Sequence, residues 1–212
     1  MGKNKRLKIK ETIKEHIINN LREYIIILLI FIIGIFLGVF FINNMQDTQK
    51  NEISEYINTF ITNFKNSSDV DSLQLLKTSM IQNIILGIAI WFFGTTVIGI
   101  PVVFGIVLYR GFCLGYTIST CITVMGLSKG ILFVLITLVL QNLIFIPAII
   151  AIAVSGFKLY KSIVKDRKVD NIKLEILRHT IFSLIMMILL IISSLVETFI
   201  STGILQGTIK YF

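Results

Sequence analysis

Long apolar runs nearly free of charge constrain this chain more than any other feature of it. A helix needs about 20 apolar residues to cross about 30 Å of hydrocarbon. Residues 24–42 carry no charge. Residues 78–109 form a second charge-free run, too long for one ordinary span, and Gly99-Ile100-Pro101 within it favours a break. Residues 111–128 and 130–157 are also uncharged, and residues 180–203 are interrupted only by Glu197. These runs predict an all-α fold, a polytopic membrane helix bundle with five transmembrane helices at about 24–43, 81–99, 102–125, 131–157 and 180–203. The runs are apolar on every face, which excludes a β-barrel built from short segments of alternating polarity. A helix also satisfies its own backbone hydrogen bonds in lipid. Composition agrees: 55% of residues are hydrophobic and 15% charged, against about 25% charged in soluble domains. The basic N-terminus and first apolar run resemble a signal peptide, but that run exceeds the usual h-region of about 7–15 residues. Asn43-Asn44-Met45-Gln46 follows it in place of a small-residue cleavage site, so it reads as a retained anchor.

Charge sets the expected orientation. Seven Lys and Arg precede the first span and seven lie between the fourth and fifth, against five on the opposite side. Positive residues stay cytoplasmic. The N-terminus is therefore expected inside and the C-terminus outside, as an odd number of spans requires. The chain reads as a single integral membrane domain, 1–212, with three segments outside the spans. These are a cytoplasmic basic segment 1–23, an extracytoplasmic segment 44–80 and a cytoplasmic basic loop 158–179. Attraction to anionic lipid explains the basic segments, and no nucleic-acid-binding motif accompanies them, so no nucleic-acid partner is expected.

In the outer segment, Ile53, Tyr56, Ile57, Phe60, Ile61 and Phe64 recur at the spacing of one helix face, which predicts an amphipathic helix over 52–65. That face can lie on the bilayer, pack on the bundle or dock an extracytoplasmic partner. Asn66-Ser67-Ser68-Asp69 reads as a loop.

No metal, cofactor or catalytic set emerges. HExxH, G-x-S-x-G, P-loop and G-x-G-x-x-G patterns are absent, and Cys113 and Cys121 have no partner ligands at metal spacing. Polar residues inside the membrane are costly, which singles out Arg110, Gln141, Asn142 and Glu197. Arg110 lies eight residues beyond Val102; it either snorkels to the cytoplasmic interface or stays in the bilayer. A direct Arg110–Glu197 pair requires a bent or shifted helix, because their depths differ by about 13 Å on straight helices. Gln141 and Asn142 suit hydrogen bonds to neighbouring helices, and Pro147 frees a carbonyl and favours a kink. Gly34-x-x-x-Gly38 and Gly111-x-x-x-Gly115 permit close helix approach. These motifs point to packing and leave homo-oligomerisation open.

Taken in order, several stretches resemble the stage II sporulation protein M family. They are the anchor ending Phe41-Ile42-Asn43-Asn44-Met45, the core Ile98-Gly99-Ile100-Pro101-Val102-Val103-Phe104, Arg110-Gly111-Phe112, Gly115-Tyr116, Gln141-Asn142, Ile146-Pro147 and Val196-Glu197-Thr198-Phe199. Leu140 stands where the family often carries proline. The resemblance implies a multi-pass protein of the bacterial cell membrane, at the septal membrane during engulfment of the forespore. It further implies a non-enzymatic scaffold that recruits and positions peptidoglycan-degrading partners, stage II sporulation proteins D and P. The outer face from Ile53 to Phe64 is then the candidate docking surface. The competing expectation is a small permease or channel subunit using Arg110, Gln141, Asn142 and Glu197, which a polar cavity joining them would favour.

Overall fold

The computed structural model describes residues 18, 20–66, 71–165 and 172–208. Among these residues there are six continuous helices and no strand. The first four are α1 (Leu21–Asn43), α2 (Asp47–Asn66), α3 (Ser72–Gly94) and α4 (Ile100–Met125). α5 joins Leu127–Val134, a π-helical turn Leu135–Val139 and Leu140–Lys165. α6 joins Ile172–Leu195, a second π-helical turn Val196–Ser201 and Thr202–Thr208. All but α2 are long and apolar enough to cross a membrane, which makes five such helices.

Helix ends depart from the charge-free runs because hydrogen bonding outlasts hydropathy. α3 starts at Ser72 rather than near 81. The Asp71 carboxylate caps it, accepting from the Leu73 and Gln74 amides at 3.1 and 3.0 Å. Gln74, Lys77 and Thr78 therefore belong to the helix despite their polarity. Asp71→Ala should cost about 1 kcal/mol, read as a lower melting temperature in detergent with the same helical signal.

The break between the second and third spans lies at Thr95–Gly99, not at the proline. Thr96 Oγ1 donates to the Phe93 carbonyl at 3.0 Å and accepts from the Gly99 amide at 3.0 Å. Pro101 sits in the first turn of α4, where its missing N–H leaves no helical bond unmade. α4 and α5 are joined by Gly126 alone, at φ 80° and ψ 165°. That region is essentially confined to glycine, so α5 starts at once, at Leu127 rather than 131. Pro147 lies inside the continuous helix Leu140–Lys165, and the π turn precedes it.

Between α1 and α4 the two glycine motifs face each other. A β-carbon on Gly34 would overlap the Leu108 carbonyl, and one on Gly38 the Phe112 carbonyl. Added to Gly111 or Gly115, it would overlap the carbonyls of Phe31 and Ile35. In lipid no hydrophobic drive holds helices together, so such contact between backbones carries the association. Both motifs are used within one chain. α3 and α5 cross in a similar way, with a β-carbon on Gly156 falling 2.8 Å from Gly94 Cα. The main core gathers Ile27, Ile90, Val103, Val107, Ile149, Ile152 and Leu190, all fully buried. Lys161 pairs with Glu23 and ties the end of α5 to the start of α1.

A smaller cluster seats α2 on the bundle. Ile61 is buried against Cys121, Phe133, Val134 and Leu205, flanked by Ile57 and Phe64. The predicted amphipathic helix is therefore present and packs on protein through part of its apolar face. Tyr56 and Phe60 remain 74% and 43% exposed. Residues 67–70, which hold the predicted loop beyond Asn66, residues 1–17 and 19 of the basic segment and residues 166–171 of the basic loop lie outside the described residues. The rest of 158–179 belongs to the ends of α5 and α6.

Candidate functional site

Three helices bring the predicted polar residues together. Arg110 from α4, Gln141 and Asn142 from α5, and Glu197 from α6 line one cavity of about 210 Å³. α3 adds Ser79, Gln82 and Asn83, which sequence reasoning had not singled out.

The two π turns set which way these residues face on their helices. Each π turn holds one residue more than an α turn and rotates the rest of its helix by about 100°. The first ends just before Gln141, and the second contains Glu197 itself. The two turns pack against each other. Wider turns misalign backbone hydrogen bonds, and nearby side chains supply donors. Asn142 Nδ2 donates to the Leu138 carbonyl at 2.9 Å, and Thr202 Oγ1 to the Glu197 carbonyl at 3.0 Å.

Glu197 is the hub of the polar network. Ser79 Oγ donates to its Oε2, and Gln141 Nε2 donates to the same oxygen at 2.6 Å. Asn83 Nδ2 donates to Ser194 Oγ at 2.8 Å, and Ser193 Oγ reaches the Gln141 carbonyl at 3.3 Å. The network thus ties α3, α5 and α6 through one carboxylate. Hydrogen bonds to a charged acceptor are about twice as strong as neutral ones.

Arg110 faces the same cavity without joining that network. Its guanidinium carbon stands 5.1 Å from the centre of the Phe145 ring, a cation–π contact. Its Nε is buried with no hydrogen-bond partner among the described residues. The ion pairs seen there are Lys50–Asp47, Lys161–Glu23 and Arg178–Glu175. Arg110 and Glu197 therefore share a cavity as separated opposite charges, not as a direct pair.

One boundary of the cavity is closed. Val103 and Val107 precede Arg110 on α4, Ile149 and Ile152 follow Phe145 on α5, and Leu190 precedes Glu197 on α6. With Ile90 of α3 and Ile27 of α1, these fully buried side chains fill the bundle toward the N-terminal end of α1. Toward α2 lies a second, mainly apolar groove of about 520 Å³, lined by Ile53, Tyr56, Ile57, Phe60, Phe133 and Leu205 among others. The groove and the cavity share Thr117 and Leu138 in their walls.

The family model described as Stage II sporulation protein M matches residues 27–202. The chain belongs to that family. Neither a curated protein nor a solved structure matches it. The match runs from α1 into the last segment of α6 and so includes the glycine seam, α2 and the whole cavity. This is a membrane protein of a sporulation family, built as an all-α bundle.

A second polar cluster lies outside the residues that the sequence singles out. His179 is buried in α6. Its Nδ1 lies 2.9 Å from Ser155 Oγ and its Nε2 3.4 Å from the Trp91 carbonyl. A carbonyl only accepts, so Nε2 carries a proton, and in the neutral ring Nδ1 then accepts from Ser155. Trp91 Nε1 donates to Thr180 Oγ1 at 3.2 Å. The ring fits because Gly94 is bare: a β-carbon there would stand 3.2 Å from Nε2. The signal lay in pairing one buried histidine with a glycine on a neighbouring helix, a relation that no local spacing reveals.

Proposed function

We propose that this protein is a non-enzymatic membrane scaffold. It recruits peptidoglycan-degrading partners, the stage II sporulation proteins D and P, and positions them at the septal membrane during engulfment. The chain sits with its N-terminus in the cytoplasm, as its basic residues favour, and α2 lies on the extracytoplasmic side where such partners work. The observation that carries this reading is α2. It is pinned to the bundle through Ile61 yet keeps Tyr56 and Phe60 exposed beside an apolar groove. An anchored helix with exposed aromatic side chains suits binding, because aromatic residues dominate interface energetics.

The test is affinity capture of the tagged protein from sporulating cells, comparing wild type with Tyr56→Asp, Phe60→Asp. Both residues are exposed, so the variant keeps its fold. The expected result is recovery of the hydrolases with wild type and at least about a tenfold loss with the variant, as for truncation of an interface hot spot. Equal recovery with both moves the contact away from α2. Recovery with neither ends the scaffold reading.

The cavity favours a second reading, a small permease or channel subunit, because it joins Arg110, Gln141, Asn142 and Glu197. The filled core toward the N-terminal end of α1 weighs against a continuous path. Under this second reading, reconstituted liposomes show solute flux that vanishes with Glu197→Gln.

A further inference from the structure

We infer that the cavity around Arg110 and Glu197 is a blind binding site for a small zwitterion of the amino-acid type. The inference rests on neither the scaffold nor the permease reading, since it requires neither a protein partner nor passage through the bundle.

Charge balance comes first. Burying a charge without a partner costs several kcal/mol or more. The cavity holds one guanidinium and one carboxylate, facing the same space without an ion pair. A ligand with net charge would leave one of them uncompensated. A zwitterion answers both, with an anionic group at Arg110 and an ammonium at Glu197.

Bonding capacity points the same way. Among the described residues both donors to Glu197 reach Oε2, which leaves Oε1 for a ligand. Arg110 Nε is buried with no acceptor among the described residues. Such a group carries a desolvation penalty until something bonds it.

Size and access complete the argument. The cavity of about 210 Å³ is many times the roughly 10–15 Å³ that one water needs, which leaves room for a small molecule. Fully buried side chains close it toward the N-terminal end of α1. Thr117 and Leu138 border both the cavity and the outer groove, and Leu114, Leu138, Asn142 and Ile146 border both the cavity and another apolar groove, either of which suits the ligand's side chain.

Cys113 lines the cavity and reports on it directly. The experiment uses the full chain in nanodiscs with Cys121→Ser, so that Cys113 is the remaining thiol. The rate at which a charged, membrane-impermeant methanethiosulfonate modifies Cys113 is measured alone and with four probes. L-alanine and L-leucine carry both charges, 4-methylpentanoate carries only the anion, and 3-methylbutylamine only the cation. The expected result is that Cys113 reacts and that one or both amino acids slow it, while neither single-charge analogue does. Arg110→Gln and Glu197→Gln should each raise the half-protecting concentration by about tenfold or more, the usual cost of losing one charged hydrogen-bond partner. Three results overturn the inference. Cys113 inert to the reagent shows no aqueous access. Protection by a single-charge analogue equal to that by the amino acids removes the zwitterion. No protection by either amino acid removes the site. The probe comparison is made in the protein with both charges intact, so it stands even where a charge variant fails to fold.

Discussion

Gly115→Leu should leave little folded protein to purify. The glycine lies where α1 and α4 touch backbone to backbone, and its β-carbon would already overlap the Ile35 carbonyl. A flexible side chain can move aside, but a helix backbone held along its length cannot. Overpacking a tight core costs about 1–3 kcal/mol and occasionally more. Here the whole side chain must be absorbed by separating two helices, so the upper end or beyond is expected. Gly34→Leu, Gly38→Leu and Gly111→Leu should behave alike, because each of these residues meets a carbonyl of the facing helix. Gly105→Leu is the matched control: it lies in the same helix, and nothing stands within 4 Å of its β-carbon position. Size-exclusion profiles and thermal melting in detergent separate the outcomes. If Gly115→Leu melts like Gly105→Leu, the α1–α4 seam is not as described.

Glu197→Leu should be the most damaging change in the polar cavity. It removes the acceptor of both Ser79 and Gln141. It also leaves the Arg110 guanidinium without an opposite charge in its cavity. Leaving two hydrogen-bond donors without their acceptor costs about 1–3 kcal/mol for each. Glu197→Gln should cost less, about 1–2 kcal/mol, because its amide oxygen still accepts from both donors and only the charge is lost. Thermal melting of the two variants in one detergent checks the order. Equal melting temperatures for wild type and Glu197→Leu would mean that the carboxylate does not hold α3, α5 and α6 together.

The two predictions draw on features that were legible to different degrees. The five apolar helices could be read directly, since a charge-free run of span length has one stable fate in lipid. Their ends could not, because Asp71 and Gly126 set them through a cap and a backbone conformation rather than through hydropathy. Arg110, Gln141, Asn142 and Glu197 stood out by the cost of polarity in a membrane. Their meeting point did not, because it depends on π turns at Leu135–Val139 and Val196–Ser201, which no periodicity in the sequence marks. Ser79 and Asn83 lay in or beside an apolar run and became visible as members of the site only when α3 was placed against α6. The glycine pairs were readable as close-packing motifs, but their mutual partnership is a tertiary fact. The face from Ile53 to Phe64 was readable as amphipathic. Only packing divides it into an anchoring part at Ile61 and an exposed part at Tyr56 and Phe60.

The central claim, that this chain is an anchor for extracytoplasmic hydrolases, is tested most directly with purified components. The full chain is reconstituted in nanodiscs, and the extracytoplasmic portions of stage II sporulation proteins D and P are added singly and together. Binding is followed by interferometry on the immobilised discs, with discs lacking the chain as reference. A scaffold gives saturable binding of at least one partner to loaded discs only, weakened by Tyr56→Asp, Phe60→Asp. Equal signals from loaded and unloaded discs, with either partner or both, would contradict it.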